Sequence, residues 1–555
     1  MSFQAPVGTC KATIPGLGTV DGLEYANGVQ QFCGIPYAHL SKRWTRSTLQ
    51  NKWNDEYHDG TKLGNDCPSP IVDGDDSDDL VPVPPPAHFN QSRAVDEQSA
   101  LVMNIVIPHS LKPDVESLPV FVYVHGGSLL YGGANLPIFD AVNLVSQSIV
   151  IGMPIICINF NYRVGIGGFL AGKVIAEELK QDGFAGSGNF GFTDQQVAFD
   201  WVQQYIEFLG GNPLNVTAVG ESAGGISISN QLLSANPPVF HRAACMSGLS
   251  AAIPAWTIEQ HDLFFQATCR QFSIDPSAPE ALDQLRAIPQ QELANTTPTI
   301  QGVPLGTGNP CLDGWFYRAG VNPREVNTPP AWLKGYMFGD TYHEGVIFHL
   351  NLLDENYHSV RRVLQADINN DAYTDKILAA YEIEIDLSQD EFLKRVEHMC
   401  GDAIFKVPNY LLSQVAGEAS FLYHFDQRSR LQNPLEGTAY HAHELLYLFM
   451  NLENEFNEEE KQMAREFSSA WIRFTNGFAP WSVERQERKW MVWGPSSKVQ
   501  LKSEAEDQEA RDYRRIREIL QLDGGACWKR WLAGVDALVN RRWKLFGQAQ
   551  VEYPK

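Results

Sequence analysis

Basic residues are scarce in this 555-residue chain: 43 Lys and Arg against 66 Asp and Glu, a net charge of −23. A surface of that sign repels nucleic acid and anionic membranes at long range, and no Lys/Arg cluster offsets it, so no nucleic-acid partner is expected. Long clean apolar runs are also missing. The best, AVNLVSQSIVIGMPIICINF (141–160), carries Asn143, Gln147 and Pro154, which argues against a membrane span. Paired cysteines are absent too. Nine stand singly with no CxxC, a pattern that predicts reduced thiols and a cytoplasmic protein. The opening residues, MSFQAPVGTCKATIPG, do not read as a secretion leader, though a secreted chain with its leader trimmed would begin in the same way. Oligomeric state is not legible from any of this. What is present is globular composition, 44% hydrophobic and 20% charged, with ample length for a large core.

Short apolar, β-rich runs alternate with helical patterns. PVFVYV (119–124), PIICINF (154–160), NVTAV (215–219), RAACMS (242–247), GYMF (335–338) and SFLYHF (420–425) read as strands buried on both faces. Between them, TDQQVAFDWVQQYIEFLGG reads as a helix with Thr193 as N-cap. Its expected apolar stripe is Val197, Trp201, Tyr205 and Phe208, and Gly210 and Gly211 stop it. KQMAREFSSAWIRFTNG repeats the pattern through Met463, Phe467, Trp471 and Phe474. These stripes read as core. The alternation predicts an α/β protein: a mostly parallel central sheet with helices on both faces. The segment DGDDSDDLVPVPPP (73–86) lacks metal-binding loop spacing and reads as a solvated, extended loop.

One strand runs directly into Gly220-Glu221-Ser222-Ala223-Gly224-Gly225, and a helical stretch, ISISNQLLSA, follows. A GxSxG pattern alone has little specificity. In the order strand, GxSxG, helix it predicts a sharp turn that exposes a nucleophilic serine. Glycines at 220 and 224 would let the two arms approach closely. Serine needs a histidine base, an acid to orient that histidine, and N–H donors for the developing oxyanion. A second strand ends in HGGSLLYGG (125–133), whose glycines present bare backbone N–H groups. His125 reads as structural.

Together these segments resemble the type-B carboxylesterases, the α/β-hydrolase family that includes carboxylesterases, cholinesterases and some lipases. GIPYA (34–38), NYRVGIGGFL (161–170), GNFGFTDQQVAFDWV (188–202), GGNPLNVTAVGESAGG (210–225) and HAHELLYLF (441–449) match family blocks in the expected order, over most of the chain. The resemblance implies an α/β-hydrolase fold occupying 1–555 as a single domain, with Ser222 as nucleophile. It places the acid at Glu344 of GDTYHEG, a residue that would otherwise read as a surface carboxylate, and leaves Asp340 and His343 as bystanders. It places the base at His441 of HAHELL, in preference to His443. The HxH pair has no clear third ligand, which disfavours zinc. The implied oxyanion donors are Gly127, Ser128 and Ala223, with Ser128 standing where the family has a third glycine.

By this resemblance the chain hydrolyses small-molecule carboxylic esters through an acyl-enzyme, with no metal or organic cofactor. Activity is expected to fall as His441 protonates at acid pH, which a pH–rate profile tests. The family's disulfide is expected to be missing: Cys67 matches its first half, but Ala100 stands at the second. That leaves a lid-like loop around 67–100 unclamped. No tryptophan occurs between Trp53 and Trp201, so choline recognition by cation–π contact is not expected there. Two other readings stay open at this level. The same triad could form or open lactones or pass an acyl group to an alcohol, or the chain could be a non-catalytic, esterase-like binding protein.

Overall fold

The computed structural model describes residues 3–71, 83–84, 86–89, 93–109, 117–296, 308–482, 488–540, 542–543 and 551–552. A 13-stranded sheet runs through it. Twelve strands form its main path: β1 (Pro6–Ile14), β2 (Gly18–Tyr25), β3 (Val29–Pro36), β4 (Val102–Pro108), β5 (Leu118–Val124), β6 (Ile156–Phe160), β7 (Gly211–Glu221), β8 (Arg242–Met246), β9 (Gly335–Thr341), β10 (Ser420–Phe425), β11 (Lys489–Trp493) and β12 (Val499–Ser503). Their spatial order is β1-β2-β3-β4-β6-β5-β7-β8-β9-β10-β11-β12. From β6 through β11 every pairing is parallel. Antiparallel strands flank this core on both sides.

All six strand runs legible in the sequence belong to the parallel core. Strand β5 shows why they read as continuous apolar segments. Val120, Val122 and Val124 pack into one hydrophobic cluster, and Phe121 and Tyr123 into another on the opposite face. Helices α2 (Phe190–Tyr205) and α3 (Ala223–Leu233) cover the first face; α1 (Val142–Val150) and α5 (Glu458–Thr475) cover the second. A further helix, α4 (Gln389–Gly401), packs on the turn that follows β9.

Helix α5 begins three residues earlier than its apolar stripe suggests. Asn457 and Glu460 form a reciprocal capping box, and Glu458–Glu460 place negative charge at the positive end of the helix. Met463, Phe467, Trp471 and Phe474 are all buried, as expected. In α2 two expectations need correcting. The N-cap is Asn189, with φ 58°, rather than Thr193. Thr193 lies inside the first turn, bonded to the Phe190 carbonyl at 3.0 Å and to Arg46. Phe208 is 47% exposed and does not extend the stripe. The chain tightens into a 3₁₀ segment at Ile206–Leu209, which turns position 208 away from the sheet before Gly210 (φ 83°) ends it.

All nine cysteines are unpaired, Cys67 among them, and Ala100 is buried opposite no thiol. The base of the 67–100 loop is held by other means. Asp66 pairs with Val95 in an isolated bridge, Arg93 reaches Asp66 at 2.8 Å, and Arg43 reaches Glu97 at 2.6 Å. Most of the acidic, proline-rich 73–86 segment lies outside the described residues. Among the described residues no helix is long and apolar enough to cross a membrane.

Trp471 stacks on Phe467 at 4.1 Å and meets Tyr423 edge-on at 5.2 Å beneath the sheet. Replacing this fully buried ring, Trp471→Ala, is expected to cost about 3–5 kcal/mol. A shift of the urea midpoint to lower denaturant checks it.

Candidate active site

The carboxyl end of β7 sets the geometry. Ser222 has φ 54° and ψ −124°, a backbone conformation that costs a non-glycine residue roughly 1–3 kcal/mol and that clusters at functional sites. The surrounding glycines show what holds it there. A Cβ on Gly224 would lie 1.9 Å from the Val124 carbonyl, and one on Gly220 would lie 2.4 Å from the Gly224 backbone. Strand, turn and helix therefore touch backbone to backbone, and the serine is held at the turn between β7 and α3.

The loop after β5 closes over the same turn. A Cβ on Gly126 would meet the Ser222 Cβ at 3.1 Å. Gly127 has φ 108°, and its carbonyl accepts from the N–H groups of both Leu130 and Tyr131 at 2.9 Å. Ser128 has φ 56°, the left-handed region where a glycine is free and a serine costs about 1–2 kcal/mol. Among the described residues, the N–H groups of Gly127, Ser128 and Ala223 donate to no acceptor. Unspent backbone donors beside a strained serine can bind a developing oxyanion. His125 is buried, stacks on Tyr162 at 4.3 Å and bonds the Gly126 carbonyl at 2.8 Å. Burial pushes it down to about 4, so it stays neutral and supports the loop.

Glu344 and His441, 97 residues apart, are brought together. Glu344 Oε2 lies 2.5 Å from His441 Nδ1, and Oε1 accepts the Thr341 N–H at 2.6 Å. Glu344 is 1% exposed, which corrects its isolated reading as a surface carboxylate. A carboxylate at Nδ1 keeps the proton there and leaves Nε2 as the basic nitrogen of the neutral ring. Asp340 is a bystander to this pair: it is buried against His424, Arg511 and Asn409. His443 turns elsewhere, bonding the Gln427 carbonyl at 3.0 Å and stacking on Tyr440, and burial pushes it down to about 3.

Two carboxylates escaped the sequence reading. Glu221, inside the GxSxG motif, is buried and places Oε1 3.1 Å from His441 Nε2, without hydrogen-bond alignment. Nε2 itself makes no hydrogen bond, to Ser222 or to any other described residue. Such bonds commonly form only when substrate is bound. Glu444 is also buried and accepts from Ser247 at 3.2 Å and from Tyr423 at 3.4 Å. The only signal for either was position: each adjoins or nearly adjoins a motif residue. Burial raises Glu221 to about 7 and pushes Glu444 well up. For His441 burial works downward, but the charges of Glu221 and Glu344 outweigh it and lift the imidazole to about 9.

A cavity of about 1220 Å³ lies beside the turn that follows β9 and helix α4, and Ser222, Glu344 and His441 are not among the residues that line it. Thr438 and Ala439, just ahead of His441, line it, as do His343 and Ile347 beside Glu344, Leu393 of α4, and Tyr131. The Tyr131 backbone is also what a side chain at Gly127 would strike.

The model of the carboxylesterase family matches residues 10–518. The chain belongs to the carboxylesterase family. Carboxylesterase membership makes it a carboxylic ester hydrolase. It is 29% identical to para-nitrobenzyl esterase of Bacillus subtilis over 81% of this chain and 86% of that protein. It is 26% identical to Lipase 3 of Yarrowia lipolytica, over 83% and 88%. A solved thermophilic PNB esterase, 24% identical, superposes with a TM-score of 0.69 over 91% of this chain and all of that one, which establishes the α/β-hydrolase fold.

A raised His441 has a kinetic consequence. An imidazole must be neutral to accept a proton, so with His441 as base kcat/KM of this carboxylesterase is expected to climb with pH to a midpoint above 6.5, toward 9. Glu221→Gln removes a charge that favours the imidazolium. It should therefore move that midpoint to lower pH, and a pH series of kcat/KM on wild type and variant checks the direction.

Proposed function

We propose that this carboxylesterase hydrolyses uncharged carboxylic esters through a Ser222–His441–Glu344 triad and an acyl-enzyme. The observation that carries the reading is the strained Ser222 turn set against unspent N–H donors, with a carboxylate-oriented histidine beside it. His441 Nε2 takes the proton of Ser222 as Oγ forms its bond to the ester carbonyl carbon. The N–H groups of Gly127, Ser128 and Ala223 hold the resulting oxyanion, and Glu344 stabilises the imidazolium. The ester C–O bond breaks, and His441 passes the proton to the departing alkoxide. Water then attacks the acyl-enzyme, giving its proton to His441, which returns it to Ser222 as the acid leaves. Besides the ester and water, these steps call for no metal or organic cofactor.

The leaving alcohol must face His441, which protonates it. We take residues 1–555 as one catalytic domain. We propose the loop around 67–100 as a lid; residues 72–82 of it lie outside the described residues.

An organophosphonate probe tests the triad. Wild type is expected to gain one covalent adduct, on Ser222, with loss of ester hydrolysis. Ser222→Ala should take up none and retain about 10⁻⁴ to 10⁻⁶ of wild-type kcat. Absence of label from an otherwise folded wild-type enzyme would sink the reading and favour a binding role.

A further inference from the structure

The acid turn is gripped from behind by a carboxylate that the mechanism above does not use. Glu344 opens a 3₁₀ turn, Glu344–Phe348, with His343 as its N-cap and His349 as its C-cap. Glu397, on α4, is 3% exposed and divides its carboxylate between the two caps. Oε2 lies 3.2 Å from His343 Nε2 and Oε1 lies 2.5 Å from His349 Nδ1. Beneath these bonds the backbones of helix and turn are in direct contact. A Cβ on Gly345 would sit 1.7 Å from the Glu397 carbonyl oxygen, and one on Gly401 would sit 2.5 Å from the Gly345 nitrogen and 3.1 Å from the Glu344 Cβ. Neither glycine tolerates a side chain, so α4 and the acid turn are seated on one another.

His343 also ties the turn to the base. Its N–H donates to the Ala439 carbonyl at 2.9 Å, and it bridges Tyr440, the residue before His441. One buried carboxylate thus holds both ends of the turn bearing the acid, and through His343 the segment bearing the base. The grip faces the large cavity, and His349 is half-exposed there. Other charged groups line the same cavity, Glu382, Lys394, Arg395 and Arg428 among them. Asp390 acts on His349, and His398, stacked on His343, is itself surrounded by Asp402, Lys406 and Arg515.

We propose that Glu397 is a positioning residue: through His343 and His349 it fixes the turn that holds the Glu344 carboxylate on His441 Nδ1. This rests on the triad reading above. Glu397→Gln keeps the shape but removes the negative charge that both histidines share. If the clasp positions Glu344, loosening it lengthens the Glu344–His441 contact. Two things follow. The value of kcat per phosphonate-labelled site falls about 10- to 100-fold with KM little changed. The midpoint of the kcat/KM profile moves toward 6.5, because the imidazolium loses part of its counter-charge. His349→Gln, at a half-exposed position that is safe for folding, should give a smaller change in the same direction, and the double variant should be no worse than Glu397→Gln alone.

Normalising to labelled sites removes any loss of folded protein. A merely structural Glu397 would lower the melting temperature or the labelled fraction, but leave kcat per site and the pH midpoint at wild-type values; that result would overturn the proposal. Failure of the triad reading looks different, since wild type itself would then take no label.

Discussion

Gly224 and the carbonyl of Val124 are so close that not even a methyl group fits between them, and the site depends on that contact. It presses the turn after β7 against the end of β5, two neighbouring parallel strands. The same contact brings the loop that follows β5 over the serine. Ser222 and the N–H groups of the loop after β5 are therefore fixed relative to each other by backbone packing, before any side chain takes part. The strain at Ser222 is sustained because neighbouring parallel strands and the helix that follows over-determine its conformation.

The other half of the site is electrostatic. Three buried carboxylates, Glu221, Glu344 and Glu444, share one imidazole. A buried ionised carboxylate without a partner is costly, and like charges so near one another cannot all ionise. His441 is the cation that relieves this, which is why its pKa rises, while burial and the neighbouring carboxylates make Glu221 and Glu444 weaker acids. The basicity of the histidine is thus a property of the cluster. Glu344 stays oriented because Thr341 and the seating of α4 hold its turn from two sides.

Where the sequence reading failed, it failed for local reasons. Thr193 has the chemistry of an N-cap, yet the helix starts four residues earlier because Asn189 adopts a left-handed backbone conformation that a pattern of apolar residues does not record. Phe208 has the spacing of the stripe, but the switch to 3₁₀ geometry changes the angular advance per residue and turns it out. Glu344 was singled out only through its family block, since nothing in its immediate neighbours announces its burial.

The sequence by itself determined the parallel core, the helices on both faces, the strand–GxSxG–helix order, the glycine donor loop and the family, because these depend on periodicity and on residues adjacent in the chain. Only the tertiary structure decided the surroundings of His441. Its partners come from segments centred on 221, 344 and 444, and the turn carrying Glu344 is seated by a helix some fifty residues further on. Proton affinity inside a protein is set by which charges the fold brings within a few ångströms and how much water it removes, and neither quantity is written in the spacing of residues along the chain.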